Sequence, residues 1–245
     1  DYPIAWCSEY GKGKVFYTSL GHREDIWTSY HYQKHILGGI HWALGLAKGD
    51  GKPINNRYEV SAEERAAGFK PLFNGINLDG WKLRQKDGAK SWNVQNGMMV
   101  NTVAKGEHGT DIVTNDKFWN FTVRYEYLIP KGSNSGFYLR GRHEIQIFDD
   151  YGKKPAMGGN GAIYSVKPVS LQASRRAGEW QEVEATIKGN RISVTLNGVQ
   201  VHSSVEVNRA TGSELDANVD QPGSLFVQGD HGAVALRNIR IKVLD

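Results

Sequence analysis

The sequence is poor in cysteine, in long apolar runs and in blocks of one charge. The only cysteine among 245 residues, Cys7, excludes an internal disulfide framework. No run of apolar residues approaches the roughly 18 that a membrane-spanning helix needs. The 30 basic and 26 acidic residues are interspersed along the chain, which argues against a nucleic-acid partner. Disulfide scaffolds, membrane spans and nucleic-acid binding are therefore disfavoured.

Aromatic residues and glycine are abundant instead. Seven Trp, eleven Tyr and 29 Gly are typical of aromatic-rich strands joined by many turns. The length and the 39% hydrophobic content allow one large core, or one core with a small additional module. The composition thus predicts a mainly β protein.

The first 48 residues have a pattern of their own. The runs PIAW and KVFYTSL predict a strand pair around the turn-like EYGKGK. A helical period follows, whose apolar face includes Ile26, Leu37, Ile40 and Leu44, and it predicts a helix ending near Gly45. The chain opens abruptly at DYPIAW without the features of a signal peptide, so we expect a processed or trimmed piece of a longer protein.

The character of the sequence changes across residues 49–68. This polar stretch predicts a linker with one short helix in SAEERAAG, which a Ser cap opens. Residues 69–245 are a succession of short strand-like runs between turn signals, including GFYLR, HEIQIF, AIYSV and VALRNIRIKVL. Such spacing predicts a two-sheet antiparallel sandwich. The pair Asn197-Gly198 predicts a hairpin with a type I′ turn.

The most informative stretch is residues 134–150, NSGFYLRGRHEIQIFDD. Because side chains alternate along a strand, Asn134, Tyr138 and Arg140 share one face of the first run. Glu144 and Gln146 share one face of the second run. The two runs predict a polar patch backed by apolar residues, as a carbohydrate-facing sheet needs. The solvent face of an ordinary sandwich would show the same alternation.

Several separate motifs, in a fixed order, carry a family resemblance. They are FKPLFNG (69–75) with LDGW (78–81), Trp92 with Asn96-Gly97, NSG (134–136) with Arg140, EIQIFD (144–149), GAIY (161–164), GEW (178–180), LNG (196–198), Gln228 with His231-Gly232, and RNI (237–239). In this order, residues 69–244 resemble the 3-keto-disaccharide hydrolase domain family, a jelly-roll group related in shape to concanavalin-like lectins and glucanases. Asp230, within the turn QGDHG, departs from the family pattern.

The first 48 residues carry a second resemblance. Gly11 to Tyr17, Gly21, His22 and Gly39 to Gly45 are similar to the C-terminal end of a ThuA-like, trehalose-utilisation type domain. The fragment lacks the βαβ units of such a domain, so it cannot enclose a Rossmann-like site by itself. We therefore expect three regions: a ThuA-like fragment (1–48), a linker (49–68) and a jelly-roll domain (69–245).

The resemblance of residues 69–244 implies a glycoside substrate whose C3 hydroxyl has been oxidised to a ketone. It also implies a periplasmic or extracellular bacterial location. The ketone acidifies the C2 proton, and removal of that proton can expel the aglycone from C1 by elimination, after which water adds. This path needs a base near C2, donors near the enolate oxygen and an acid near the leaving oxygen.

The polar patch supplies the first candidates. Glu144 is the candidate base, or a carboxylate that anchors a metal, and Gln146 beside it would orient sugar hydroxyls. Arg140 would stabilise the enolate charge. A plain salt bridge between Arg140 and Glu144 is the structural alternative. Asn134, Tyr138 and Gln228 complete the predicted substrate-binding set.

Three residues from other segments are candidate helpers in catalysis. His231 could act as the acid, because imidazole titrates near neutral pH, or it could only bond the backbone of its turn. Tyr164 could be a second acid or part of the core, since it alternates with Ile163. Lys167 could give electrostatic help or be a solvated charge at a strand end.

Two further groups are candidates for ligand binding. Asp149 and Asp150 could bind a divalent cation, since hard cations prefer oxygen ligands, although paired aspartates in a turn are usually solvated or capping. The aromatic candidates for stacking on a sugar are expected to be mostly core, with at most one at the site: Trp81, Trp92, Trp119 and Trp180.

Two other functions stay open. Glucanases of similar shape are retaining glycosidases with two carboxylates about 5 Å apart, commonly at alternating positions of one strand, but the residue two after Glu144 is the amide Gln146. A non-catalytic carbohydrate-binding module would keep the amides and aromatic residues and would not need Glu144 or His231.

Overall fold

A computed structural model of the chain describes residues 4–49, 60–103 and 107–245. The chain forms two compact units, residues 1–56 and residues 57–245. Half of the predicted linker, residues 50–59, lies outside the described residues. None of the helices in the described ranges has the length and apolar character needed to cross a membrane.

The first unit is a strand pair followed by a helix. Its elements are β1 (Ala5–Tyr10), β2 (Gly13–Thr18), a 3₁₀ helix (Glu24–Thr28) and α1 (Tyr30–Ala43). The strands pair antiparallel, from Ala5 opposite Thr18 to Tyr10 opposite Gly13. The predicted strand pair and helix end are confirmed.

The predicted apolar face of α1 is wrong. Its buried residues are Tyr32, Gly39 and Trp42, whereas Leu37 and Ile40 are exposed. The reason is a close approach of β2 to the helix at Gly39, where any Cβ would collide with the ring of Phe16. Gly39 therefore decides which face of the helix the strands cover.

The second unit contains one short helix, α2 (Ala62–Ala66), and a long series of strands. The strands are β3 (Lys70–Pro71), β4 (Trp81–Leu83), β5 (Trp92–Gln95), β6 (Met98–Asn101), β7 (Ile112–Thr114), β8 (Phe121–Leu128), β9 (Asn134–Leu139), β10 (His143–Phe148), β11 (Gln181–Lys188), β12 (Arg191–Leu196), β13 (Val199–Glu206), β14 (Phe226–Val227) and β15 (Val234–Val243). The α2 cap is Ser61, whose side chain accepts from the backbone N–H of Glu64, as predicted.

These strands form two antiparallel sheets. The smaller has the order β10-β9-β14-β7-β4, and the larger has the order β13-β12-β11-β8-β15-β6-β5, with β3 added beside β15. Consecutive strands of the sequence are often not neighbours in the sheets, so the chain crosses repeatedly between them. The predicted two-sheet antiparallel sandwich is confirmed.

The core lies between the two sheets. Alternate residues of β8, among them Phe121 and Tyr125, are fully buried, and they face residues of the smaller sheet such as Phe137 and Ile145. Tyr125 stacks on Phe137 with ring centroids 4.1 Å apart and planes at 10°. Burial of each large apolar side chain contributes roughly 1.5–3 kcal/mol. This packing fixes which side chains of β9 and β10 face the core. It therefore also fixes which side chains face away from the core.

Two local predictions have opposite outcomes. The hairpin of β12 and β13 turns at Asn197 and Gly198, whose φ angles of 50° and 81° are those of a primed turn, as predicted. The run AIYSV is not a strand. Its residue Ile163 makes only isolated bridges, to Ile145 and to Lys167, and Ser165 has a φ of 56°. The chain there folds back on itself in a tight turn.

Candidate active site

A polar cavity of about 130 Å³ lies on the outer face of β9 and β10. It is lined by residues of these two strands and of three loops: Asn134, Tyr138, Glu144, Gln146, Tyr164, Gly212, Ser213, Gln228 and His231. Most of the predicted catalytic and substrate-binding residues are therefore brought together, although they come from distant parts of the sequence.

The register of β9 and β10 explains why the strand residues converge. Tyr138 lies opposite Glu144, and Gly136 lies opposite Gln146. Directly opposed residues of an antiparallel pair project to the same face. The face towards the core carries the apolar residues, so the polar residues of both strands point into the cavity.

Glu144 is a buried carboxylate with one close donor. Its side chain is 4% exposed, and the hydroxyl of Tyr138 donates to Oε2 at 2.8 Å. Burial raises the pKa of Glu144 to about 7. The Tyr138 hydrogen bond and the charge of His231 lower this pKa, whereas the charges of Asp111 and Asp230 raise it. A carboxyl with this pKa exchanges its proton near neutral pH.

Tyr138 is held as a hydrogen-bond donor. Burial raises the pKa of its phenol well above the ordinary value, and the neighbouring Glu144 adds to the effect. Its ring stacks on Phe226 with centroids 3.8 Å apart and planes at 15°. The phenol therefore stays protonated and fixed in front of the carboxylate.

Gly136 makes room for that carboxylate. A Cβ at this position would collide with Oε1 of Glu144. Gln146, opposite Gly136, donates from Nε2 to Oδ1 of Asn134 at 3.2 Å and to the carbonyl of Gly158 at 3.3 Å. Its Oε1 is buried and has no hydrogen-bond partner among the described residues. The cavity thus offers an unsatisfied acceptor beside the carboxylate.

His231 and Tyr164 lie at the rim. Nδ1 of His231 is 2.5 Å from Oδ1 of Asp230, and both side chains are partly exposed. With Nδ1 bonded to the carboxylate, Nε2 is the ring nitrogen left for a ligand. Tyr164 is 38% exposed, and its backbone N–H donates to the carbonyl of Glu144 at 3.1 Å. The core alternative for Tyr164 is therefore wrong.

The loop that contains residues 211–213 forms a wall that the sequence reasoning missed. The hydroxyl of Thr211 accepts from the backbone N–H of Glu144 at 2.9 Å. Arg84 donates to the carbonyls of Ser213 at 2.9 Å and Glu214 at 2.8 Å. Arg142 holds Asp216 of the same loop in an ion pair of 2.7 Å. The loop has no periodic pattern, and its only sequence signal is a polar composition rich in turn residues.

Residues 68–242 match the family described as the 3-keto-alpha-glucoside-1,2-lyase-like domain. The chain belongs to this family. Residues 1–43 match the trehalose utilisation (ThuA) family, so both predicted resemblances are confirmed.

Relatives with names or solved structures support the assignment. A protein named 3-keto-disaccharide hydrolase from Bacteroides thetaiotaomicron is 25% identical over 235 residues, covering 74% of this chain and 80% of that protein. A crystal structure of a candidate glycosyl hydrolase from Parabacteroides distasonis is 26% identical with a TM-score of 0.63, covering 77% of this chain and 99% of that one. A second such structure from the same organism is 26% identical with a TM-score of 0.59, covering 73% and 84%.

Arg140, which strand alternation placed in the polar patch, lies elsewhere. It follows the last residue of β9 with a φ of 53°, which takes it out of the strand alternation. Its guanidinium lies 3.6 Å from the centre of the Trp119 ring, and its Nε donates to the Trp119 carbonyl at 2.6 Å. It is absent from the cavity lining. Arg140 therefore neither faces a substrate in this cavity nor forms the alternative salt bridge with Glu144.

Lys167 also lies outside the cavity. The turn at Ile163 directs the chain away, and the Lys167 side chain is exposed. Burial lowers the pKa of His202, and the charge of Lys167 lowers it further. The interpretation of Lys167 as a solvated charge fits this position better than a role beside Glu144.

The two aspartates proposed as metal ligands hold the backbone of neighbouring loops. Asp149 accepts from the N–H of Gly132 at 2.8 Å. Asp150 accepts from the N–H of Asn160 and from the hydroxyl of Ser174, each at 2.8 Å. Across residues 4–49, 60–103 and 107–245, no group of three or more His, Cys, Asp or Glu side chains could hold a metal ion.

The four candidate tryptophans do not line the cavity. Trp81 and Trp92 are buried in the core, each 6% exposed. Trp119 packs against Arg140, and Trp180 lies 3.9 Å from the guanidinium of Arg237. The aromatic residues at the site are tyrosines, of which Tyr164 is the exposed one.

Proposed function

We propose that this protein cleaves glycosides whose sugar carries a ketone at C3, by elimination followed by hydration. The observation that carries the proposal is the Glu144 carboxyl, buried in a polar cavity with a pKa of about 7. A general base is most effective when its pKa lies near the working pH. The names of the family and of its relatives agree with a glycoside substrate.

The first step transfers a proton from C2 to Glu144. The C2–H electron pair forms a double bond to C3, and the ketone oxygen becomes an enolate. When the ketone re-forms, the electrons shift to the C1–C2 bond, and the bond from C1 to the aglycone oxygen breaks. Water then adds across the C1–C2 double bond, giving the free 3-keto sugar. The sum is hydrolysis without an external oxidant or reductant.

His231 is the candidate acid for the departing oxygen. Asp230 holds Nδ1, so Nε2 can give a proton to the aglycone as the C1–O bond breaks. Because Arg140 faces away, stabilisation of the enolate oxygen falls to neutral donors of the cavity, for which the side-chain amides of Asn134 and Gln228 are candidates. The buried Oε1 of Gln146 would accept from a sugar hydroxyl.

The alternative functions fit the cavity less well. A retaining glycosidase needs two facing carboxylates, but Glu144 is the only carboxylate among the described residues that line the cavity. A binding module has no need for a buried carboxyl that titrates near neutral pH, which costs stability when ionised. Elimination uses one base, and the cavity offers one.

The test compares E144Q with wild type on a 3-keto-glucoside and on the same glucoside without the ketone. We expect E144Q to lower kcat/KM by about 100-fold or more while retaining sugar binding. E182Q, which changes a 63% exposed side chain on the larger sheet, is the matched control and should retain activity. Undiminished cleavage by E144Q would refute the base assignment. Cleavage of the unoxidised glucoside would favour the glycosidase alternative.

Two further parts of the proposal need their own measurements. The divalent cation stays a prediction, and loss of activity with a chelator, restored by added metal, would support it. The periplasmic or extracellular location also stays a prediction, which fractionation of the native host would test.

A further inference from the structure

Asp111 is a buried carboxylate that lies behind the cavity and does not line it. It directly precedes β7 and is 7% exposed. Its Oδ1 accepts from the backbone N–H of Gly229 at 3.0 Å, and its Oδ2 accepts from Nη1 of Arg84 at 3.0 Å. Gly229 immediately precedes Asp230 and His231, so one oxygen of Asp111 fixes the turn that carries the candidate acid.

The other oxygen of Asp111 acts through Arg84 on the opposite wall. The same guanidinium donates to the carbonyls of Ser213 and Glu214, and it lies 5.5 Å from the centre of the Phe226 ring. Phe226 in turn stacks on Tyr138, the donor to Glu144. Asp111 is thereby connected to the turn that carries His231 and, through Arg84, to the loop at Ser213. Through Arg84 and Phe226 it is also connected to Tyr138, which donates to Glu144.

The charge of ionised Asp111 adds a second effect, while burial raises the pKa of Asp111 itself and its hydrogen bonds from Gly229 and Arg84 offset part of that rise. An amide at this position would keep one acceptor oxygen and lose the other, whereas the carboxylate accepts from both Gly229 and Arg84 and also brings charge into a region of low dielectric. The groups that act on Glu144 are Tyr138 from β9, His231 and Asp230 from the turn after β14, and Asp111 from the start of β7. Of these, Asp111 and Asp230 raise the pKa of Glu144.

We propose that Asp111 is a positioning residue whose two oxygens align the two walls of the cavity and whose charge acts on Glu144 from behind it. This inference rests on the proposed function for its catalytic meaning. The residue touches neither substrate nor reacting atoms, and it acts through Glu144, Gly229 and Arg84.

The test is a titration of the Glu144 carboxyl by ¹³C NMR in wild type and in D111N, with the resonance assigned by its loss in E144Q. Removal of the negative charge should move the midpoint down by about 0.5–1 pH unit. The acidic limb of kcat/KM on the 3-keto-glucoside should move down by the same amount. A merely structural role for Asp111 would lower the rate without moving either midpoint.

D216N is the matched control. It weakens the ion pair between Asp216, in the loop that contains residues 211–213, and Arg142, in the turn between β9 and β10. Asp216 is not among the groups that act on Glu144. We expect its titration midpoint to equal that of wild type. Should D111N fail to fold because Arg84 loses its acceptor, the double variant R84Q/D111N removes that donor as well and should show the same downward shift.

An unshifted midpoint in the folded Asp111 variants, or an equal shift in D216N, overturns the inference. The titration separates it from the proposed function. If E144Q still cleaves the keto-glucoside while the Glu144 midpoint moves in D111N, the base assignment fails and the tuning by Asp111 stands.

Discussion

Tyr138 donates its hydroxyl hydrogen to Oε2 of Glu144 across 2.8 Å, from the directly opposite position of the neighbouring strand. The donor is fixed from behind by its stack on Phe226. Burial raises the pKa of Glu144, and the Tyr138 hydrogen bond holds part of that rise back. The two residues therefore form a unit in which one strand carries the candidate base and the other sets its orientation and proton affinity.

Y138F should raise the pKa of Glu144 above its present value of about 7, because the hydrogen bond that favours the carboxylate is lost. The acidic limb of kcat/KM should move to higher pH, and the rate at pH 7 should fall by about tenfold. Y127F is the control, since Tyr127 makes a comparable buried bond of 2.7 Å to Asn160 outside the cavity. An equal displacement of the limb in both variants would contradict the prediction.

G136A should displace the Glu144 carboxylate, because the added Cβ would overlap Oε1. We expect kcat/KM on the keto-glucoside to fall by about 10–100-fold. G158A tests the same change at another glycine beside the cavity, where the new Cβ would lie 3.4 Å from the Tyr164 ring in ordinary contact. Activity of G136A near that of G158A would show that the space is not required.

E144Q should change the pH dependence of stability. The pKa of Glu144 is about 7 in the folded chain and 4.5 ordinarily, so the folded state binds more protons between these values and its stability falls as pH rises through them. Relative to E144Q, wild type should lose up to about 3 kcal/mol of unfolding free energy between pH 4 and pH 8. Buried His143, whose pKa falls to about 4, has the opposite effect but is present in both proteins.

Urea unfolding at several pH values measures this difference. The comparison of wild type with E144Q cancels the histidines, and E182Q should track wild type because its side chain is 63% exposed. A difference between wild type and E144Q that does not vary with pH would mean that Glu144 titrates normally.

H231A should discriminate between leaving groups. A sugar alkoxide needs a proton as it departs, whereas a nitrophenolate does not. We expect kcat/KM to fall by about 100-fold for a sugar aglycone and by less than about tenfold for a nitrophenyl aglycone. H108A, at an exposed histidine, should leave both rates unchanged. Equal losses for the two aglycones would remove His231 from the role of acid.

Local sequence predicted the strands and much of the cavity. Alternation within GFYLR and HEIQIF placed Tyr138, Glu144 and Gln146 on the polar faces of their strands. Because the two strands pair, these polar faces form one continuous surface. The Asn197-Gly198 turn was readable because its backbone angles suit few other residue pairs. These are properties of neighbouring residues, which a sequence pattern carries directly.

Arg140, Lys167 and Asp111 show where such reading fails. Alternation put Arg140 on the polar face, but a positive φ at the end of β9 sends its side chain to Trp119. The AIYSV run looked like a strand, yet its turn brings Tyr164 to the rim and leaves Lys167 outside. Asp111 had no local signal, because its importance comes from Gly229 and Arg84.

The sequence by itself determined the β architecture, the family and the residue types of the site, because strand alternation, turn chemistry and ordered motifs are local. Only the tertiary structure decided which of those residues share a cavity. Burial in the cavity raised the pKa of Glu144, and the packing of distant segments gave it His231 and Asp111 as neighbours beside Tyr138 of the adjacent strand. A pKa depends on the local dielectric and on charges that are close in space. Neither can be read from the order of residues along the chain.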